Sequence, residues 1–246
     1  MAVLEDLIPR CREAGVRIIW CNWGLTEKDI DECPPAVLKG FGGLNAFTSG
    51  PKPEPKPEPK LEAVTRASKV DTQANVEGEK LVDTKPSRIY RGFGTPMGNV
   101  KLENGAEIDA GRLLMRDQWN SALPPPLQDL YEQGNSLPED RGDMWVHKNR
   151  MSGLWNENTP LFQYLRSIGI RSLLFTGVNT DQCVQGTLVD AYNSGWDCLL
   201  VRDGCGTGTP MGKEVTEWNV GRSWGFLVDS EGVKKGIDGM LAAKRG

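Results

Sequence analysis

A cysteine follows a short apolar run and a glycine turn in the second half of the chain. The run from Leu173 to Phe175 has no polar alternation, which is typical of a parallel strand covered on both faces. Gly177 predicts a turn, Thr180 or Asp181 predicts a helix cap, and Cys183 falls in the first helical turn. The N–H groups and positive end of a helix N-terminus favour thiolate over thiol. Cys183 is therefore the candidate nucleophile.

A lysine ends another short strand. Residues 143–148 read as a strand that terminates in polar side chains, the last of which is Lys148. Open α/β sheets bind ligands at the carboxyl ends of their strands. Lys148 and Cys183 both take that position, and we therefore expect them at one site.

The rest of the chain alternates between helical and extended patterns. Three- and four-residue apolar spacing predicts helices, and short apolar runs predict strands. Gly15 is placed to end the first helix. The alternation predicts an α/β fold, with helices on both faces of a parallel sheet. The predicted helices are 4–14, 160–167, 184–193 and 215–222, and the predicted strands are 16–21, 143–148, 173–175, 196–201 and 226–228.

Residues from about 48 to 80 have a different composition. Residues 51–60 alternate proline with lysine and glutamate, so they cannot pack a core. We expect an extended, solvated, disordered insertion in an otherwise single domain that runs over residues 1–246.

Composition excludes several classes of function. A net charge of −4 and the lack of a basic cluster argue against nucleic-acid binding. No apolar run approaches the ~20 residues that cross a bilayer, and the first residues are acidic where a secretory signal is basic. Six irregularly spaced cysteines and one histidine, His147, predict neither a disulfide framework nor a metal site. We expect a reduced cytoplasmic protein without metal or cofactor.

Three stretches, 148–155, 177–184 and 190–204, together resemble the isochorismatase-like cysteine hydrolases. This superfamily includes nicotinamidases, N-carbamoyl amidohydrolases and ureidoacrylate amidohydrolases. The resemblance implies a three-layer αβα sandwich of Rossmann-like type around a parallel sheet. It also implies a small-molecule substrate, and a homo-oligomer, since such proteins often self-associate.

The resemblance implies a role for each matched residue. Cys183 attacks a carbonyl carbon and forms a thioester, which water then hydrolyses. Lys148 stabilises the thiolate. The backbone N–H groups of Asn179 and Cys183 form the oxyanion hole, and a cis peptide joins Val178 to Asn179.

The resemblance also implies an aspartate general base at the end of a first, central strand, which this chain lacks before its first helix. Three explanations stay open: the residues lie in a natural stretch that is not in this sequence, the protein is a silent paralogue, or another carboxylate substitutes. The candidates for substitution are Asp117, Asp143 and Asp203.

Tryptophans are the candidate walls of the substrate pocket, because aromatic side chains commonly line small-molecule sites. We expect Trp23 and Trp155 to line the cleft, and Trp119 to contact substrate together with Arg116 and Asn120. The implied function is hydrolysis of a small amide, ureide or carbamoyl compound. The alternatives are a silent binding or scaffold protein and an isochorismate hydrolase; nicotinamidase activity is not expected, because His147 alone cannot form that metal site.

Overall fold

The computed structural model describes residues 1–41, 92–139 and 141–245. The predicted insertion at about 48–80 lies outside these residues. No helix in the described part of the chain is both long and apolar enough to cross a membrane.

Helices and strands alternate along most of the described chain. The helices are α1 Ala2–Ala14, α2 Glu27–Asp31, α3 Pro35–Lys39, α4 Pro125–Asn135, α5 Pro160–Ser167, α6 Gln185–Asn193, α7 Gly212–Asn219 and α8 Ser230–Arg245. The strands are β1 Ile19–Trp23, β2 Asn99–Lys101, β3 Glu107–Asp109, β4 Met144–Lys148, β5 Ser172–Val178, β6 Asp197–Gly206 and β7 Phe226–Val228. A 3₁₀ turn at Trp119–Ser121 and π-helical turns at Thr180–Val184 and Val220–Trp224 complete the regular structure.

The strands form two parallel sheets and one antiparallel ribbon in the described residues. β1 pairs with β4, and β6 lies between β5 and β7. β2 and β3 form the ribbon. The α/β class is thus confirmed, while the ribbon was not predicted, because three-residue strands carry little periodicity.

Local sequence explains how the helices begin and end. Gly15 adopts a left-handed conformation, with φ 82°, and its N–H donates to the carbonyl of Arg12, which ends α1 as predicted. At the start of α5, the Thr159 side chain accepts a hydrogen bond from the N–H of Phe162, and Pro160 occupies the first turn. These caps fix where the strands that follow must begin.

The core has a layer on each side of the sheets. On one side α5 and α6 contribute Leu161, Leu165 and Leu188, which pack with Val146 of β4 and Leu200 of β6. On the other side α1 and α8 cover β6 and β7, and α1 and α4 cover β1. Helices therefore flank the sheets on both faces, in agreement with an αβα sandwich.

β5 is less covered than the sequence predicted. Its residues alternate between exposed and half-buried; Leu174 is 37% exposed and Val178 is 71% exposed. The prediction of a strand buried on both faces was wrong, because only the face carrying Leu173 and Phe175 packs into the core. An apolar run reports the tendency to be buried, whereas neighbouring elements decide whether burial occurs.

Several boundaries also differ from the prediction: β6 spans Asp197–Gly206 and not 196–201, and α7 spans Gly212–Asn219 and not 215–222. β1 spans Ile19–Trp23 and not 16–21, so Asn22 and Trp23 belong to the strand and not to a loop. Ile168, predicted on the buried stripe of α5, lies past its end and is 41% exposed.

Candidate functional site

Cys183 lies in the π-helical turn Thr180–Val184, between β5 and α6. The two predicted caps do not cap this turn. Asn179 precedes the turn without a side-chain cap, and the Asp181 carboxylate instead accepts a hydrogen bond of 2.6 Å from Thr207 Oγ1. Thr180 is fully buried, and its hydroxyl has no hydrogen-bond partner among the described residues. Cys183 is thus placed by a π turn and not by the first turn of an α-helix.

Backbone hydrogen bonds hold the residues before the cysteine. The peptide bond between Val178 and Asn179 is cis. The Asn179 carbonyl accepts hydrogen bonds from the N–H groups of Gln182, at 3.0 Å, and Val184, at 3.2 Å. The turn therefore closes on Asn179.

Thr187 connects the cysteine turn to the loop after Lys148. Its hydroxyl donates to the carbonyl of Cys183 at 2.7 Å and accepts from the N–H of Gly153 at 3.2 Å. One side chain of α6 thereby fixes the distance between the two segments that carry the candidate residues.

Lys148 is a buried cation at the end of β4, with 7% of its surface exposed. Its Nζ donates to the carbonyls of Arg150, at 3.0 Å, and Met151, at 2.6 Å, and lies 4.2 Å from the centre of the Trp23 ring. Burial lowers the pKa of Lys148, while the adjacent thiol of Cys183 acts to raise it. No carboxylate forms an ion pair or a hydrogen bond with Lys148 in the described residues.

Cys21 of β1 completes a small cluster with Lys148 and Cys183. Burial raises the pKa of the Cys21 thiol to about 11, although Lys148 opposes the shift. A Cβ atom on Gly153 would lie 2.6 Å from the Cys21 sulfur, so this glycine permits the close approach of the loop. Sequence reasoning missed Cys21; its position two residues before Trp23, on the same strand face, was the available signal.

Apolar and aromatic side chains surround the cysteine on its other side. Cys183 packs against a buried cluster that includes Trp23, Phe93 and Met115. The Trp23 and Phe93 ring centres are 5.3 Å apart. The candidate nucleophile therefore lies between a buried cation and an apolar wall.

A polar cavity of about 280 Å³ adjoins Lys148. Its lining includes Asp29, Arg116, Asn149 and Trp155. Asn149 Nδ2 donates to Asp29 Oδ1 at 2.7 Å, and Trp155 Nε1 donates to Asn149 Oδ1 at 3.2 Å. Burial acts to raise the pKa of Asp29, but the hydrogen bonds from Asn149 and Thr26 outweigh it and lower that pKa. This network gives the cavity fixed donors and acceptors.

The predicted pocket tryptophans do not share one cavity. Trp23 lies under Lys148, and Trp155, 44% exposed, lines the polar cavity. Trp119 lines a different cavity, of about 460 Å³, on the opposite face of β4. Asn120 is structural, since its amide bonds the backbone of Ala110, Arg112 and Leu114.

Three carboxylates were candidates to replace the catalytic aspartate of the family, and none of them lies next to Cys183 or Lys148 in the described residues. Asp143 binds Arg12 and the Trp20 indole, and Asp203 binds Ser230. Asp117 lines the cavity of Trp119. Sequence reasoning missed Asp29, whose position three residues after Thr26 signalled only a helix cap.

Comparison with known proteins finds similarity to one family. The isochorismatase domain profile matches residues 107–225, which contain Lys148, Cys183 and the loops joined by Thr187. Over these residues the chain is similar to the isochorismatase domain.

Curated isochorismatase-family relatives match over about half of this chain. The ureidoacrylate amidohydrolase RutB of Methylorubrum extorquens is 34% identical over 119 residues, which are 48% of this chain and 43% of that protein. RutB of Klebsiella pneumoniae is 31% identical over 122 residues, 49% of this chain and 47% of that protein. The chain thus spans less than half the length of these relatives.

A solved structure supports the fold over nearly the whole chain. The cysteine hydrolase from Pseudomonas syringae matches with a TM-score of 0.58 and 12% identity, over 97% of this chain and 80% of that one. At this identity the likeness concerns the fold alone.

Proposed function

We propose that this protein hydrolyses a C–N bond of a small amide, ureide or carbamoyl compound, with Cys183 as the nucleophile. The observation that carries the proposal is the contact of Lys148 with Cys183. Lys148 ends β4 of one parallel sheet and Cys183 lies in the turn after β5 of the other, and a buried cation next to a thiol favours its thiolate. The relatives named as ureidoacrylate amidohydrolases support the choice of bond.

The proposed reaction has two steps. The Cys183 sulfur loses its proton and bonds to the carbonyl carbon, the C–N bond breaks, and the nitrogen leaves with a proton. Water then attacks the thioester, the acid departs, and the thiol is restored. The backbone N–H groups of Asn179 and Cys183 stabilise the oxyanion of both steps.

The general base is the open part of this mechanism. The family resemblance implies an aspartate, and in the described residues Lys148 is paired with no carboxylate. This observation favours a second candidate, a paralogue that binds a small molecule without turning it over. A third candidate, hydrolysis of the vinyl ether of isochorismate, is disfavoured by the cysteine, which such relatives commonly lack.

One experiment separates these candidates. The purified chain is incubated with ureidoacrylate, nicotinamide, an N-carbamoyl amino acid and isochorismate, and released ammonia and products are followed by chromatography. Hydrolysis of any of the three nitrogen compounds that disappears in Cys183→Ala, with a substrate-sized adduct on Cys183 by mass spectrometry, is the expected result. Binding without turnover identifies the silent paralogue, and cleavage of isochorismate alone identifies the third candidate; either result overturns the proposal.

A further inference from the structure

A cavity of about 460 Å³ opens on the face of β4 opposite Lys148. Its lining includes Asp117, Trp119, Tyr131, Trp145 and His147, but neither Cys183 nor Lys148. Trp145 and His147 are two residues apart on β4 and therefore share a strand face. The cavity shares His147 with the cavity beside Lys148 but is not lined by Lys148 or Cys183.

Aromatic rings form one side of this cavity. The ring centres of Tyr131 and Trp145 are 4.9 Å apart, and those of Trp145 and His147 are 5.8 Å apart. Trp145 Nε1 donates to His147 Nδ1 at 3.3 Å, so this indole N–H is already used within the protein. Trp119 is 44% exposed, which is unusual for a large aromatic side chain. Trp145 therefore offers its ring surface, and not its donor, to a ligand.

Three polar lining side chains also make hydrogen bonds within the protein. Ser121 Oγ donates to the carbonyl of Met115 at 2.6 Å, and Gln128 Nε2 donates to Glu132 at 2.9 Å. Gln118 Nε2 donates, over a longer 3.5 Å, to the carbonyl of Arg116, and Gln118 Oε1 accepts from the N–H of Arg112 at 3.2 Å. Each glutamine amide keeps a second N–H, so these side chains do not select the charge of a ligand.

Asp117 adds a negative charge to this lining. Its backbone is left-handed, with φ 59°, and its carboxylate makes no hydrogen bond or ion pair with any described residue. The neighbouring Arg116 does not line this cavity; its Nε donates to the carbonyl of Gly24 at 2.8 Å. Burial lowers the pKa of His147, so that imidazole is mostly uncharged near pH 7. Asp117 is the charged side chain in the cavity lining, although the positive charge of Arg116 also acts on His147 and lowers its pKa.

We propose that this cavity binds a small organic cation, such as a quaternary ammonium group. The faces of Trp119, Tyr131 and Trp145 attract a cation through their π electrons, and Asp117 supplies the counter-charge. A volume of about 460 Å³ accommodates a ligand of this size. Neutral or anionic ligands lack the charge that Asp117 and the rings would recognise.

Choline and its uncharged isostere 3,3-dimethylbutan-1-ol test the proposal, because they share shape and differ in charge. Each is titrated into the full chain by isothermal calorimetry, with tryptophan fluorescence as a second signal. We expect choline to bind at least about tenfold more tightly than the alcohol. Equal affinities, or no saturable binding of choline, would overturn the proposal.

Variants locate the binding. Asp117→Asn removes the charge and keeps a residue that tolerates positive φ, and Trp119→Ala removes one ring. Each should weaken choline binding about tenfold, while Trp119→Phe should retain most of it. Trp218→Ala is the matched control, since Trp218 is 63% exposed on α7, outside this cavity. Wild-type affinity in both Asp117→Asn and Trp119→Ala, with unchanged circular dichroism, would refute the assignment.

The test is independent of hydrolysis. Cys183→Ala should bind choline as the wild type does, because Cys183 does not line the cavity. Choline binding without amide hydrolysis would support this proposal and contradict the proposed function. Amide hydrolysis without choline binding would support the proposed function and contradict this proposal.

Discussion

Lys148 and Trp23 are register partners in the parallel pair of β4 and β1, and the Lys148 ammonium lies 4.2 Å from the centre of the Trp23 ring. Strand register produces this contact, because partner residues of adjacent strands point to the same face. The ring thus contacts a cation that is also adjacent to Cys183. We therefore expect Trp23 to position Lys148 next to Cys183.

Replacement of Trp23 should therefore slow alkylation of Cys183. In Trp23→Leu the cation–π contact is lost and Lys148 becomes free to move, so we expect a several-fold lower rate with iodoacetamide. Trp23→Phe keeps an aromatic ring, so its alkylation rate should lie between the rates of Trp23→Leu and the wild type. Rates are measured at neutral pH by mass spectrometry of peptides, with Trp218→Leu as the control; equal rates in Trp23→Leu and the wild type would remove the proposed positioning role.

Cys183 should be alkylated before the other cysteines. Burial raises the pKa of five thiols, and those of Cys21, Cys198 and Cys205 rise to about 11. Because the thiolate is the reactive form, a thiol with a pKa of about 11 stays almost wholly protonated at pH 7 and reacts only as the pH becomes alkaline.

Lys148→Met tests the cause of this selectivity. The substitution keeps an unbranched apolar side chain but removes the charge next to the sulfur, and we expect alkylation of Cys183 to slow about tenfold. Equal labelling of all six cysteines at pH 7, or an unchanged rate in Lys148→Met, would contradict the activated-thiolate hypothesis.

The pair of Arg12 and Asp143 should contribute strongly to stability. The Asp143 side chain is 1% exposed and accepts from Arg12 Nε at 3.0 Å, from Arg12 Nη2 at 2.5 Å and from Trp20 Nε1 at 2.7 Å. Asp143→Ala leaves a buried guanidinium without its anion, so we expect the free energy of unfolding to fall by about 3–5 kcal/mol.

Urea denaturation measures this loss. Asp6→Ala is the control, since Asp6 is half exposed where it pairs with Lys234, and its removal should cost much less stability than the removal of Asp143. The double variant Arg12→Met/Asp143→Ala should lose less than the sum of the single variants. Additive losses would show that the two side chains act independently.

Asp203 should make stability depend on pH. Burial acts to raise its pKa, but hydrogen bonds from the hydroxyl and N–H of Ser230, at 2.5 and 2.8 Å, outweigh it and lower the pKa. A pKa that is lower in the folded state adds stability when the pH is above the unfolded-state pKa of about 3.9. This contribution is lost as the pH falls through the folded-state pKa.

Asp203→Asn should therefore destabilise the protein at pH 7 by less than about 1 kcal/mol, because solvent screens this exposed carboxylate, and the difference should shrink as the pH falls below about 4. Urea unfolding curves at pH 7 and at lower pH measure both quantities. A difference that stays constant with pH would show that the charge of Asp203 contributes nothing.

Much of the secondary structure could be predicted because its signals are local. The apolar spacing of α1 and Gly15 at its end, and the polar end of β4, are readable within a few residues. The length of β1 could not be predicted so well, because the pairing of Asn22 with His147 and of Trp23 with Lys148 extends it beyond its apolar run.

The candidate site was predicted in part for the same reason. Lys148 ends a recognisable strand and Cys183 follows another. The family resemblance predicted that the two residues belong to one site. Cys21 was missed, and so was the hydrogen bond between Asn149 and Asp29. The latter two residues are 120 positions apart in the sequence and meet only in the folded chain. The assignment of Trp119 to the same pocket as Trp155 failed because β4 separates them: each lines a cavity on a different side of that strand.

By itself the sequence determined the chemistry that is carried in short segments: a cysteine shortly after a strand, a lysine at a strand end, and the periodicity that makes the fold α/β. The turn predicted at Gly177 was wrong, because Gly177 lies inside β5, where it pairs with Cys205 of β6. Only the tertiary structure decided that Lys148 is buried over Trp23, that one face of β5 stays exposed, and that Asp117 lines one cavity with three aromatic side chains. Periodicity depends on neighbours along the chain, whereas burial and charge pairing depend on neighbours in space.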